Sequence, residues 1–428
     1  MNESFEQLND YITQFMTEYD VPGLAIAISK NGNLLLEKGY GFQNLSKQEP
    51  VTPNTIFGIA SISKSFTSLG ITLLEKQGKL SIHDPISKYI PELFIPNVEN
   101  MKIHHLLTHS TGLPSLFRQE QLNRFSDHVD YFNSFEHEPF GKPGEYFSYN
   151  NDTFLLLGAI IERVTGKLYR RFMTEEVLNP LGLYRSTYSI EELDKYTDVT
   201  TPYVKGSNKS HEVSYFPPLG NYEVGGGVRS CVADLIRYGE CFIRNGQPLF
   251  NDNQLSAMYQ PHMTIRQNEY YGYGLKVTPT YHGYTLVEHG GDQPGVSSIF
   301  GFVPKLGYVV SVLINVSGVP VNKVWLAAIN TLLKLPLHTK KIEYPIYNAT
   351  KEELSAFVGH YKGNENEVEI VLEEKLLLKA GEQTIPLRLS SLNTLVTEKE
   401  EMPLTFYYKD QKIWALLLGV RILRRTPS

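Results

Sequence analysis

Three short stretches of the sequence carry side chains that could make and break an acyl bond. In the first, Phe57-Gly-Ile-Ala-Ser-Ile-Ser-Lys-Ser-Phe-Thr67, Ser61 and Lys64 stand three residues apart. A serine hydroxyl is a weak nucleophile in water, and a neighbouring amine or ammonium can take its proton or stabilise its alkoxide. In the second stretch, Tyr149 and Asn151 follow the turn residues Pro143 and Gly144. A tyrosine hydroxyl held against ammonium groups ionises below its ordinary range and can act as a base. The third stretch is Val287-Glu-His289-Gly-Gly291-Asp292. There His289 offers a positive or hydrogen-bonding group, and the glycines let a substrate main chain approach. The N–H just after Gly291 can complete an oxyanion site. Taken singly, each has a plainer use: an N-cap serine, a packing tyrosine, a glycine-rich hairpin with a surface histidine. The chemistry becomes specific only when one fold gathers all three.

The surrounding periodicity says which elements must do that gathering. Apolar residues at Ile62, Phe66, Leu69, Leu73 and Leu74 predict a helix from Ser61 to about Gln77. Ser61 then sits at a helix N-terminus, where free N–H groups and the dipole favour negative charge, and Lys64 shares its face. Phe154–Thr165 reads as an amphipathic helix, which leaves Tyr149 and Asn151 on the loop entering it. Leu24–Ser29 and Leu34–Gly39 flank Asn31-Gly32, a pair suited to the two positive φ angles of a type I′ hairpin turn. Further strands are expected at Tyr284–Glu288, Val296–Val303 and Tyr308–Asn315, and helices at Asn9–Tyr19 and Val321–Leu335. The resulting class is α+β: an antiparallel sheet flanked by terminal helices, with a mostly helical region inserted. Beyond the proline-bounded linker Pro336–Pro345, strand-like runs recur at Glu367–Leu372, Leu376–Lys379, Thr384–Leu389, Leu404–Tyr408 and Ile413–Leu418. These predict a small C-terminal antiparallel β-barrel, so the expected domains are 1–338 and 339–428.

In this order, spaced by roughly 90 and 140 residues, S-x-x-K, Y-x-N and H-x-G give the chain a clear resemblance. It resembles the serine β-lactamase-like and penicillin-binding protein superfamily, on the side of class C β-lactamases and related D-aminopeptidases, DD-peptidases and esterases. Supporting stretches are His105-Leu-Leu-Thr-His-Ser-Thr-Gly-Leu-Pro114, Gly225-Gly-Gly-Val-Arg-Ser-Cys-Val-Ala-Asp234 and Tyr271-Gly-Tyr-Gly274. The resemblance implies Ser61 as nucleophile, Lys64 as its proton partner, and Tyr149 as a base that later protonates the leaving group. It implies Asn151 as an orienting side chain for Lys64 and the substrate amide. The N–H groups of Ser61 and Asp292, beside Gly291, would form the oxyanion hole. His289 stands where class C enzymes usually carry lysine, and it can lose its charge near neutral pH. That departure fits the peptidase and esterase relatives better than a dedicated β-lactamase. The C-terminal part, with Phe357-Val-Gly-His-Tyr361 near its start, resembles the lipocalin-like domain of some D-amino-acid-specific peptidases.

Composition is consistent with such an enzyme. Lys plus Arg number 40 and Asp plus Glu 46, a formal net charge of −6, too small for a nucleic-acid footprint or polybasic membrane tether. Two cysteines, Cys231 and Cys241, allow no disulfide framework and read as small buried thiols. The polar, acidic first residues do not read as a signal peptide, and no apolar run reaches membrane-span length, so a cytoplasmic location is expected. His105 and His109 have the i,i+4 spacing of zinc ligands, but His-Glu-x-x-His is absent, and no metal or cofactor is expected. There is no G-x-S-x-G elbow and no phosphate loop. The reading is a serine hydrolase forming an acyl-enzyme on Ser61 with a small peptide, amide or ester substrate, a D-amino-acid-containing peptide foremost. A carboxylesterase or weak β-lactamase on the same site is the near alternative, a non-hydrolytic penicillin-binding sensor the distant one. A homo-oligomer is compatible with either.

Overall fold

The computed structural model describes residues 3–206, 210–250 and 253–427. A nine-stranded antiparallel sheet forms its backbone, drawn from both ends of the first 314 residues. Its strands are β1 (Gly23–Lys30), β2 (Asn33–Asn44), β3 (Glu49–Pro50), β4 (Met263–Arg266), β5 (Glu269–Tyr271), β6 (Lys276–Tyr281), β7 (Tyr284–Gln293), β8 (Val296–Val303) and β9 (Tyr308–Ile314). They lie in the order β3-β2-β1-β9-β8-β7-β6-β5-β4. The Asn31-Gly32 turn has φ of 49° and 82°, the two positive angles that a type I′ hairpin needs. Side chains of β1 alternate between faces, as a period of two requires. Leu24, Ile26 and Ile28 meet helices α1 (Glu3–Glu18) and α5 (Val321–Leu333) on one face. Ala25 and Ala27 join the core on the other face, which includes α2 (Ser63–Lys76), α3 (Asn151–Thr165) and α4 (Val232–Ile243). The fold is thus α+β with terminal helices outside and a helical region inserted, as the sequence pattern predicts. Both cysteines are free and buried.

Three boundaries differ from expectation, and all three bear on the site. Helix α2 begins at Ser63, and Ser61 lies on a preceding 3₁₀ turn, Ala60–Ile62. Helix α3 begins at Asn151 and not at Phe154, because Asn150 caps it: its side-chain oxygen accepts the Thr153 N–H at 3.0 Å. Strand β7 runs on through Gln293, so His289, Gly291 and Asp292 lie within a paired strand and not in a turn after it. The glycine pair there hid the strand from a propensity-based reading.

The C-terminal strands close into an eight-stranded antiparallel barrel: β10 (Gly359–Lys362), β11 (Glu367–Leu372), β12 (Leu376–Ala380), β13 (Gln383–Ser391), β14 (Thr394–Thr397), β15 (Pro403–Lys409), β16 (Lys412–Leu418) and β17 (Arg421–Arg425). Side chains such as Tyr361, Ile370, Leu378, Leu395, Phe406 and Leu416 form its core. A separate apolar cluster joins barrel and sheet: Ala415, Leu417 and Ile422 pack with Phe147, Tyr149, Ile265 and Tyr271. The linker is bolted down as well. Lys341 Nζ lies 3.0 Å from Glu269 of β5 and 2.7 Å from Glu288 of β7, the strands on either side of β6.

Candidate active site

The segment carrying Ser61 is held in an unusual backbone. Ala60 has φ +45°, a left-handed conformation that costs a non-glycine residue about 1–3 kcal/mol. Strand β7 holds it there by close approach. A Cβ added to Gly291 would lie 2.3 Å from the Ile59 carbonyl oxygen and 3.0 Å from the Ala60 Cβ. The Ser298 hydroxyl reinforces the seam, lying 2.9 Å from Ile59 O and 3.2 Å from Gly291 O. Glycine at 291 is therefore a packing requirement of the Ser61 segment.

Lys64 is buried, with its Nζ 3.3 Å from Ser61 Oγ and donating to the Gly225 carbonyl at 2.8 Å. The segment supplying that carbonyl is stitched to α2 twice. Thr67 Oγ1 donates to Val224 O at 2.6 Å, and Ser63 Oγ accepts the Val228 N–H at 3.0 Å. Both hydrogen-bond partners of Lys64 are uncharged. Burial, aided by the like charges of Arg118 and Arg421, pushes its pKa well down, with Asp152 opposing. Burial therefore weakens the hold of the Lys64 amine on its proton beside the Ser61 hydroxyl.

Tyr149 packs between His109, at 4.2 Å between ring centroids, and the barrel, whose Val420 carbonyl accepts the Tyr149 N–H at 2.8 Å. Its hydroxyl is buried next to Ser61 without a hydrogen bond of regular geometry. Burial raises its pKa, and the Ser61 hydroxyl and the Arg421 guanidinium only partly offset that. Burial thus works against the expectation of a tyrosine that ionises early. Lys64 Nζ lies 4.9 Å from the centre of the Tyr149 ring.

His289 is placed behind Tyr149 and not against Ser61. Its Nδ1 donates to the Gly290 carbonyl at 2.6 Å, so its Nε2 accepts from the Tyr271 hydroxyl at 2.8 Å. Burial, with the charges of Lys276 and Lys64, lowers its pKa to about 3. Of the two roles expected of His289, a positive or a hydrogen-bonding group, burial favours the neutral hydrogen-bonding one, and both ring nitrogens are already engaged. Asn151 and Asp292 do line a small cavity of about 60 Å³ with Ser61, Arg118 and Gly225. The Asp292 carboxylate accepts from the Gly318 N–H at 3.2 Å and from Ser297 Oγ at 3.3 Å, and burial raises its pKa. Lys64 is held by Gly225 O, the task expected of Asn151.

The sequence motifs did not reveal several contributors. Arg118 stands in the cavity wall, its guanidinium 4.7 Å from the centre of the Tyr222 ring. Asp152 is buried, accepting from Tyr222 Oη at 2.6 Å and Leu116 N at 2.9 Å. Arg421 comes from the barrel. Among the described residues, no group of three or more His, Cys, Asp or Glu side chains is disposed to hold a metal ion. None of their helices is long and apolar enough to cross a membrane.

The beta-lactamase family model matches residues 8–332. The chain belongs to the beta-lactamase family. Among curated relatives of this family is Protein flp of Staphylococcus aureus (strain NCTC 8325 / PS 47). It is 27% identical over 393 residues, covering 88% of this chain and 74% of the relative. Among solved structures, the octameric penicillin-binding protein homologue from Pyrococcus abyssi is 31% identical with a TM-score of 0.76, covering 99% of this chain and 100% of that one. A penicillin-binding protein from Bacillus halodurans is 27% identical with a TM-score of 0.65, covering 75% and 99%. Fold and family thus agree: the solved structures similar to this chain include penicillin-binding proteins and their homologues.

Proposed function

We infer that the protein is a serine hydrolase that forms an acyl-enzyme on Ser61, on the class C-related peptidase and esterase branch. The observation that carries this is the buried, uncharged-partnered Lys64 amine 3.3 Å from Ser61 Oγ. The Lys64 amine, its pKa lowered by burial, takes the Ser61 proton as Oγ attacks the substrate carbonyl carbon. The oxyanion forms at the Ser61 and Asp292 main-chain N–H groups, where β7 meets the nucleophile turn. Collapse breaks the bond to the leaving group, and Tyr149 O–H relays the proton from the Lys64 ammonium to it. Water then attacks the ester, giving up a proton through the same pair, and Oγ regains its own. Asn151 lines the acyl cavity and holds the substrate amide.

Amides or esters of small size are the substrates this reading calls for, D-amino-acid-containing peptides first among them. Neutral His289 stands where dedicated β-lactamases use a fixed positive charge, which favours esters and peptides over β-lactams. We place the domain boundary at 338/339. The octameric Pyrococcus abyssi relative supports a homo-oligomer, which sedimentation would detect. The test of function is mass spectrometry after exposure to a fluorophosphonate, a penicillin and D- and L-aminoacyl amides and esters. An adduct on the Ser61 peptide that disappears in Ser61→Ala, with release of D-amino products, is expected. Full turnover by Ser61→Ala would sink the assignment.

A further inference from the structure

His109 lies behind Tyr149, and none of the three motifs contains it. It is buried and follows the short helix Ile103–Leu107. Its φ is +52°, in the left-handed region that glycine, asparagine and histidine enter more readily than most residues. Three consecutive residues at the entry to α3 are fastened to it. Its carbonyl accepts the Ser148 N–H at 3.0 Å, its ring centre lies 4.2 Å from that of Tyr149, and its Nδ1 accepts the Asn150 N–H at 3.2 Å. Ser110 extends the seam, its carbonyl accepting the Gly144 N–H at 2.7 Å. Because Nδ1 accepts a main-chain N–H, the proton of the ring is on Nε2. Among the described residues Nε2 has no hydrogen-bond partner, so Nδ1 is the polar anchor of the ring. An imidazolium would lose that anchor, and burial beside the charges of Lys64, His289 and Arg421 disfavours it.

We propose that His109 is the positioning residue of Tyr149: its carbonyl and Nδ1 fix the main chain on either side of the tyrosine, and its ring fixes the plane of the phenol. This rests on the acyl-transfer reading, in which the Tyr149 hydroxyl relays a proton between Lys64 and the leaving group. That hydroxyl has no regular hydrogen bond among the described residues, so its place is set through the ring and the main chain that carry it. The other rings around the phenol are farther off, His289 at 6.2 Å and Tyr271 at 6.3 Å between centroids. The barrel holds the same segment from the opposite side, through Val420 O on the Tyr149 N–H and the Ile422 N–H on Ser148 Oγ. Those two contacts reach the main chain and the neighbouring serine. His109 is the group stacked on the phenol itself, with Lys64 Nζ 4.9 Å from the ring centre.

Two substitutions that tolerate a left-handed backbone test the side chain apart from the main chain. His109→Gly removes ring and acceptor, and His109→Asn can still present an oxygen to the Asn150 N–H. With D-alanine p-nitroanilide as substrate, His109→Gly should lower kcat about a hundredfold and move KM by less than about threefold, as a small misplacement of a reacting group does. His109→Asn should recover about tenfold of that loss, the worth of one buried hydrogen bond. In a Tyr149→Phe background, His109→Gly should cost less than about threefold, because the hydroxyl it positions is gone. Thermal melts separate loss of folded protein from loss of rate. Independently of activity, nitrogen NMR of the full-length chain at neutral pH should show an imidazole protonated at Nε2 and bare at Nδ1, absent from the His109→Gly spectrum. An unchanged kcat in His109→Gly, full additivity with Tyr149→Phe, or a His109 ring protonated at Nδ1 would overturn the proposal. Full turnover by Ser61→Ala would instead sink the acyl-enzyme reading while leaving the NMR signature in place, so the two failures are distinguishable.

Discussion

Replacing Gly291 by alanine should separate the nucleophile turn from the strand that frames it. The added Cβ would meet Ile59 O at 2.3 Å, Ser298 Oγ at 2.6 Å and the Ala60 Cβ at 3.0 Å. Two of these contacts are with groups that cannot swing aside: a main-chain carbonyl and the Cβ of a residue already at φ +45°. Restoring an ordinary carbon–oxygen separation requires Ile59 and β7 to part by about 1 Å. A displacement of that size at an acyl-transfer site costs about a hundredfold in rate. Overpacking costs about 1–3 kcal/mol in stability, so most of the chain should still fold. Gly290→Ala is the internal control, because its nearest new neighbour would be Ser298 O at 3.6 Å, an ordinary contact. The assay is the rate of fluorophosphonate labelling of Ser61 together with kcat for a simple ester, with a thermal melt of each variant. Gly291→Ala should lose about two orders of magnitude in both rates, while Gly290→Ala stays within about threefold. A Gly291→Ala enzyme as fast as wild type, or equal losses in both variants, would refute the idea that close approach at 291 positions the nucleophile.

Tyr149→Phe keeps the packing against His109 and the barrel but removes the proton relay. It should slow amide substrates by about 10²–10⁴ and p-nitrophenyl esters far less, since p-nitrophenolate leaves without a proton; equal losses on both would count against the relay. Burial keeps His105, His128 and His289 neutral, at about 4, about 4 and about 3. The unfolded chain gains those protons below about pH 6.5 and the folded chain does not. Stability should therefore fall as pH drops from 6.5 toward 4, by about 1.4 kcal/mol per pH unit for each histidine. Thermal melts between pH 8 and pH 4 will show this, and a flat midpoint would contradict it. The same shift predicts no His289 inflection in kcat between pH 5 and 8. Lys341→Met strands Glu269, now held at about 2 by Lys341 and Arg266 despite its burial, beside Glu288. It should cost about 3–5 kcal/mol and lower the midpoint in urea. An unchanged midpoint would mean that the two carboxylates find other partners.

Much of the scaffold was legible because its determinants are local. Asn31-Gly32 dictates its own turn, and alternating apolar residues in β1 dictate which helices cover which face. Ser61 and Lys64 were legible for the same reason: one turn of backbone brings them together wherever the rest of the chain goes. The electrostatics were not. Whether Tyr149 holds its proton depends on how dry its surroundings are, and those surroundings include Leu417 and Ile422, some 270 residues away in sequence. By residue type His289 could be a cation or a hydrogen-bonding group, and its burial in β7 against Tyr271 decides for the neutral acceptor.

Arg421 was invisible for a further reason. Nothing in Leu418-Gly-Val-Arg421 marks it as other than a barrel turn with an outward arginine, and in an isolated barrel that is all it would be. It becomes part of the site because Tyr149, at the entry to α3, offers its N–H to Val420. The groove between the Phe147–Tyr149 segment and β4–β5 is apolar enough to seat β16 and β17. The barrel's own core is closed by its side chains, so what it contributes to the cleft is an outer edge and a turn. A chain cut at residue 338 would keep every motif residue and still expose Phe147, Tyr149 and Tyr271 to water. The motifs therefore specify the bond chemistry, and the contact between the two units decides whether that chemistry has a dry, correctly charged place to occur.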